Sequence, residues 1–489
     1  MYVDAQEGKD ETSCGQSPSR ACKNLQHAVN RVRDSGTIHL MTDLTLEESV
    51  SISKNVFITS KGQQPVLVAW SKEIKKERNK RANNENNRKR KNGKKTRKNK
   101  TKNNRKNTEK NQKTKKGKNK DRDEKSVPIN YYAFQVTRNK ALGISNVHFT
   151  RTGLLRMETD SKVNLTNIRV FKSPSLLIEI QFSFTSKFRL SIVNSSFENT
   201  GCIIKRKTEM NLKHEDAPKG YGHHSVVNIT SSSFTQTKGI HLEFVKHVSI
   251  RTSIFRNHDV RMRGVSVIYL QKVGWFTLKD STFQAARPMS RDPNHKKTSN
   301  GGFVSMLLSE RLYIDRCVFN EGHVTGAGGA LFVKGIDKGK ISGSVFTNCS
   351  SGFKKNGMGV NGGGRGGAVV VMNVKEKVEL VRCKFIGNKA KYGGAVYGNE
   401  QLKFRRIGWE VQKNYFLTKL HVIGCLFVDN LCRGVGQAIY CNDKLSVFNT
   451  TVLGKNAEMA VHVHAGGDRV VLQGLKVGLS KNHCTRCLI

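Results

Sequence analysis

Apolar and polar residues recur along this chain in a fixed frame around a phenylalanine. The anchors are Phe149, Val170, Phe197, Phe234, Phe255, Phe283, Phe319, Phe346, Phe385, Phe427, Val452 and Val477. For the nine anchors from Phe197 to Val452, the residue two before is small: Ser195, Ser232, Ser253, Ser281, Cys317, Ser344, Cys383, Cys425 and Thr450. Five before stands Ile, Leu or Val, from Ile192 to Val447, and seven before is apolar except at Gly339. Alternation has period two in a strand, so the residues at minus seven and minus five share a face. The step of three to the small residue breaks that phase, and a bend of one extra residue restores the inward direction. Each unit therefore reads as strand, bend, strand, then a polar turn bearing residues such as Asn388 or Asn430. A Gly-Gly-Ala opens a third strand, as in "GGALFV", "GGAVVV" and "GGAVYG".

Anchors recur every 21 to 42 residues, a solenoid period, and no helical spacing persists across the units. The pattern predicts an all-β chain: a single-stranded, right-handed parallel β-helix of about twelve or more coils. Phe197, Phe234, Phe255, Phe283, Phe319, Phe346, Phe385 and Phe427 are expected to stack as one internal ladder, about 4.8 Å per rung. The small residue fits a tight corner, the turn asparagines form an amide ladder, and the glycines permit sharp re-entry.

Composition changes this picture in one place. The 489 residues carry a formal charge of +47, with 44 Gly and 7 Pro. Residues 71–126 hold 26 Lys and Arg against 7 Asp and Glu, with Ile74 and Ala82 as their only aliphatic side chains. Such a tract cannot bury enough apolar area to offset the entropy of ordering, so it reads as a disordered basic insertion. The flanks "VFITSKGQQPVLVAW" and "VPINYYAFQV" look like strands, which places the insertion within a coil. The predicted organisation is a cap with first coils over 1–70, the insertion over 71–126, β-helix repeats over 127–480, and the start of a Cys-rich module over 481–489. Outside the tract, 59 basic residues still face 31 acidic ones, an excess that favours polyanionic partners.

Eleven cysteines show no zinc-module spacing. Cys14 and Cys22 flank a turn-rich segment and form a plausible disulfide. Cys432 and Cys441 flank one turn and are a second candidate pair, and Cys484 and Cys487 read as the opening of a further module. Cys317, Cys383 and Cys425 occupy the inward small position and read as free thiols. Asn-X-Ser/Thr sequons stand at Asn99, Asn164, Asn194, Asn228, Asn348 and Asn449. Asn164, Asn194, Asn228 and Asn449 are the glycosylation candidates, Asn194 and Asn449 at the outward bend, whereas the turn residue Asn348 is expected to be needed inside. Cysteines and sequons together point to an oxidising, extracellular setting. Met1 leads into "YVDAQEGKD" without an apolar leader, and no run of about 18 apolar residues occurs, so the chain reads as part of a larger secreted protein without a membrane span here.

"FIGN" at Phe385 and "FVDN" at Phe427, with "GGAL" at Gly328 and "GGAV" at Gly366 and Gly393, resemble the passenger repeats of chlamydial polymorphic outer-membrane proteins. The segment "GKDETSCGQSPSRACKNLQHAV" is similar to the cap of invertebrate extracellular β-helix proteins. Both resemblances imply a right-handed β-helix with an extracellular, adhesive role, and neither implies a ligand.

Polysaccharide lyases and hydrolases of this architecture need clustered carboxylates. Acidic residues here are sparse; Asp280 and Asp315 come nearest, at the bends of adjacent coils. His462 and His464, with Asp468 and Arg469, or His223 and His224, offer weaker acid/base or metal sets. The glycine-rich "NGMGVNGGGRGG" lacks the Gly-Lys-Ser/Thr of a phosphate loop. The chain is therefore expected to have no catalytic, metal or cofactor site. It reads as a non-catalytic scaffold for adhesion, binding acidic or sulfated polysaccharide or matrix proteins. The alternatives are an enzyme acting on acidic polysaccharide and a nuclear protein using the basic tract. The latter lacks the stacking aromatics that single-strand binding uses, so no specific nucleic acid is expected.

Overall fold

A computed structural model describes residues 1–62, 64–70, 132–173, 176–181, 187–206, 224–259, 266–287, 300–352, 364–399, 404–407, 410–413, 418–454, 460–463 and 470–478. The predicted insertion, the 481–489 segment, Asn99, His223, His464, Asp468, Arg469, Cys484 and Cys487 lie outside the described residues.

One coil shows how the sequence frame becomes structure. His247–Arg251 forms a strand whose Val248 and Ile250 point inward. Thr252 then takes the left-handed conformation, φ 49°, and turns the chain. Ile254–Asp259 follows with Phe255 buried, then Ile268–Gln271, and Lys272 at φ 53° leads into the next coil. The expected one-residue bend is thus a single left-handed residue. It recurs at Asn146, Asn167, Asn194, Ser231, Asp280, Arg316, Arg382 and Asn449, with Gly343 and Gly424 in two coils. An L-residue there costs about 1–2 kcal/mol, less for Asn and Asp, whose short polar side chains bond locally.

Stacking such coils gives a parallel β-helix. A 15-stranded parallel sheet runs from Tyr2–Val3 to Val470–Gln473 and a 13-stranded one from Val50–Ile52 to Val461–Val463. The third stack of parallel strands runs from Leu44–Leu46 to Lys476–Gly478 and carries the anchors. Pairing passes from Val50–Ile52 directly to Tyr132–Val136, so rungs stack on either side of residues 71–131. The eight predicted phenylalanines form one internal file, each ring stacked on the next at centroid spacings of 4.6 to 5.0 Å. At the N-terminal end the helix Leu25–Arg31 covers the core with Leu25, Ala28 and Val29, and the Asn24 side chain caps its first turn. Cys14 and Cys22 are joined by a disulfide beside it.

The small residue at the corner does more than fit. Its hydroxyl donates to the carbonyl two residues back and accepts an N–H from the preceding rung. Ser232 Oγ, for example, donates to Thr230 O at 2.8 Å and accepts from Ser195 N at 3.2 Å. Ser253, Ser281 and Ser344 continue this ladder. Where Cys425 replaces serine, its sulfur accepts from Cys383 N at 3.4 Å. These contacts satisfy backbone groups that the bend removes from the sheet.

Two asparagine roles separate at the following turn. Asn199, Asn257 and Asn348, two residues after the anchor, are left-handed. Asn388 and Asn430, three after, are buried and form the amide ladder: Asn388 Nδ2 donates to Asn430 Oδ1 at 2.9 Å and to Phe346 O at 3.0 Å. Asn348 is therefore exposed rather than internal, because Cys349 takes the inward place in that coil. In the Gly-Gly pairs the first glycine is left-handed, as at Gly366, φ 57°. The second has no room for a side chain, since a Cβ on Gly367 would lie 2.0 Å from Gly394 O.

Candidate functional site

Among the described residues the inward-facing side chains form one continuous buried core, and the outer faces are what a partner can reach. On the first sheet the residue immediately before each inward pair points outward. Strand pairing aligns these residues in one column: Lys162, Arg189, Val226, His247, Trp275, Arg311, Lys338 and Lys377. Lys419, one residue before the Val378 partner Leu420, and Lys444 complete it. From Arg311 to Lys444 five consecutive rungs are cationic. Arg311, Lys377 and Lys419 are exposed, and Lys338 and Lys444 half-buried. Lys340, in the neighbouring column, adds a further charge.

Like charges directly opposite on adjacent strands destabilise a sheet, here by roughly 1 kcal/mol or less per neighbouring pair in water. Solubility is served by interspersed signs and does not call for this file. Two carboxylates lie against it. Glu379 meets Lys377 at 2.6 Å and Glu376 meets Lys338 at 3.6 Å. The bond from Lys377 holds the Glu379 carboxyl below its ordinary range, and burial lowers the nearby His421 imidazole. At the N-terminal end of the cations stands Trp275, 43% exposed, with the Arg311 guanidinium 4.7 Å over its ring. Burial and the adjacent Lys246 lower the His247 imidazole in the preceding rung.

The carboxylates singled out from sequence do not form a cation cage. The Arg316 guanidinium occupies the space between them, bonding both Asp280 oxygens at 2.7 and 3.0 Å and Asp315 Oδ2 at 2.6 Å. The Arg316 bond keeps the Asp280 carboxyl below the usual range. Among the described residues, one three-residue set has metal-ligand spacing, Cys14, Cys22 and His27, and its two sulfurs are already joined to each other. His462 stacks on Tyr440 at 5.2 Å, and His224 is exposed.

No family model and no curated protein matches the chain. Among solved structures it is similar to tailspike protein 3 of bacteriophage CBA120, at 9% identity and a TM-score of 0.39, over 91% of this chain and 56% of that one. It is also similar to ORF18 of Geobacillus virus E2, at 9% identity and a TM-score of 0.32, over 78% and 59% of the two chains. The chain thus spans less than two thirds of either protein.

Sequons fall in two settings. Asn194 and Asn449 are exposed at left-handed corners; Asn164 is exposed and Asn228 half-buried on first-sheet strands. The proposed Cys432–Cys441 bridge is absent: both are free, Cys441 buried within the solenoid and Cys432 bonded through sulfur to Lys391 O and Val435 O in a turn. Cys317, Cys383 and Cys425 are free and buried, and burial pushes the Cys317 thiol up to about 12. Sequence reading followed the inward frame and passed over the basic column. Its signal was one position away, in the residue that precedes the inward pair.

Proposed function

We propose that the chain is a non-catalytic β-helix module that holds a polyanionic glycan against the outer face of its first sheet. The observation carrying this reading is the unbroken cationic file from Arg311 to Lys444, a destabilising arrangement that a bound polyanion would relieve. An extracellular setting accords with the Cys14–Cys22 disulfide and the exposed corner sequons.

The test compares two triple variants of the full chain with equal charge change, so that the basic tract contributes equally to both. Lys338→Glu/Lys377→Glu/Lys419→Glu is expected to elute from a heparin column at markedly lower salt than wild type. Lys23→Glu/Lys238→Glu/Lys389→Glu, placed off the first-sheet column, is expected to elute much closer to it. Equal losses from the two variants would reduce the binding to bulk charge and remove the first sheet as its site.

A further inference from the structure

The spacing and width of the file say what kind of polyanion fits it. We infer that its ligand is a linear polysaccharide bearing one anionic group on every sugar ring, laid parallel to the solenoid axis over the rungs from Arg311 to Lys444. This rests on the polyanion reading above and adds the chemical repeat of the ligand.

Width is the first constraint. The cations stand one per rung in a single column, and the next outward column is mixed: Tyr313, Lys340, Glu379, His421 and Ser446. A ligand that engages the whole file is a thin, extended chain. Period is the second constraint. Rungs advance by about 4.8 Å, close to the advance of a linear pyranose chain per ring. The acidic groups of successive rings project to alternate edges of such a chain, and the long Lys and Arg side chains of the file can bend to either edge, so one acidic group per ring meets one cation per rung. The alternatives fall out of step. Side chains on one face of an extended peptide recur every two residues, at about 6.6 Å. Phosphates of duplex DNA advance by about 3.4 Å per strand and wind away from a straight column. The third constraint is the end of the file. Beyond Arg311 the column continues as Trp275 and His247, where charge gives way to an exposed indole suited to the apolar C–H face of a sugar ring.

Glu379 sharpens the assignment. Its carboxylate already holds Lys377 at 2.6 Å in the middle of the file, where a ligand carboxylate or sulfate would sit. It competes with the ligand for that cation.

The experiment is calorimetric titration of the full chain with 1,4-linked oligouronides of increasing length. Oligoglutamate, single-stranded DNA and duplex DNA of matched charge serve as comparison probes. Affinity for oligouronides is expected to rise roughly fivefold per ring, the equivalent of about 1 kcal/mol for an exposed ion pair, and to level off once five rings span the five cations. Glu379→Gln is expected to tighten binding several-fold, and Lys377→Gln to weaken it and flatten the length dependence beyond the middle rung. Oligoglutamate or DNA binding as tightly at matched charge, or affinity growing with length without levelling, would overturn the inference. Were such binding still lost in Lys338→Glu/Lys377→Glu/Lys419→Glu, the polyanion reading would stand without it. If that variant lost nothing with any probe, both would fall.

Discussion

The coils anchored by Phe197 to Phe283 and those anchored by Phe319 to Phe427 share an interior and differ almost everywhere else. Both halves keep the same aromatic file, with neighbouring rings 4.6 to 5.0 Å apart. Three residues after the anchor the earlier coils bury Thr200, Thr237, His258 and Ala286, and the later ones Cys349, Asn388 and Asn430. Gly-Gly turns start at Gly301–Gly302 in the last of the earlier coils and continue through the later ones, which add a short extra ladder, His323 to Ser350 and onward to Lys389 and Leu431. On the first-sheet exterior, Val226, His247 and Trp275 give way to the cationic file. A common packing rule thus supports two unlike polar systems, one inside the turn and one on the surface.

The largest expected effect tests the shared part. Phe255→Ala and Phe346→Ala each leave a cavity between two stacked rings, and each should cost about 4 kcal/mol in denaturant unfolding. A clear difference between them would show that the file is not one mechanical unit.

His258 offers a sharper contrast. Burial lowers its imidazole to about 4 from an ordinary 6.5, and its Nδ1 lies 3.1 Å from Thr237 Oγ1. As pH falls through 6.5 the unfolded chain takes up this proton first, while the folded chain resists until about pH 4. Stability is therefore full above pH 6.5 and declines by up to about 3 kcal/mol between 6.5 and 4. His258→Thr, the residue found in the two preceding coils, should flatten this acid limb while leaving melting at pH 8 little changed. An unaltered acid limb would place the titration elsewhere.

A smaller effect belongs to the amide ladder of the later coils. Asn388→Ala strands the Cys349 N–H, which donates to Asn388 Oδ1 at 2.9 Å, and should cost about 2 kcal/mol. Ala286 already fills the same place in an earlier coil, so Ala286→Gly should cost less, about 1 kcal/mol for a lost buried methyl. Comparable losses would mean that the polar turn adds nothing beyond volume.

Packing was the legible layer. Phe385, Val378 and Leu380 repeat because a closed interior admits few alternatives, and a frame of offsets recovers them. Ser232 and Ser253 were legible as small but not as hydrogen-bonding, since their partners lie on other coils at variable sequence distance. Asn348 and Asn388 looked alike because a one-residue difference in offset separates an exposed left-handed corner from a buried amide ladder. Lys338, Lys377 and Lys419 were hidden for the opposite reason: no packing constraint marks an outward strand position, so nothing flags it until the rungs are placed in register.

Beyond the first two coils, the bend between the first-sheet strand and the anchor strand keeps one left-handed residue throughout. From Asn146 to Asn449 one such residue turns the chain, while long segments such as 207–223, 288–299, 353–363 and 400–417 are all accommodated at the other two edges. The basic tract obeys the same restriction, leaving after Val66–Trp70 and rejoining at Tyr132–Val136. A protein built this way can acquire new sequence along two of its seams while the third acts as a spine. The file of cations stands at the other end of the first-sheet strands, beside one of the two permissive seams, and keeps its spacing because parallel pairing holds those strands in register.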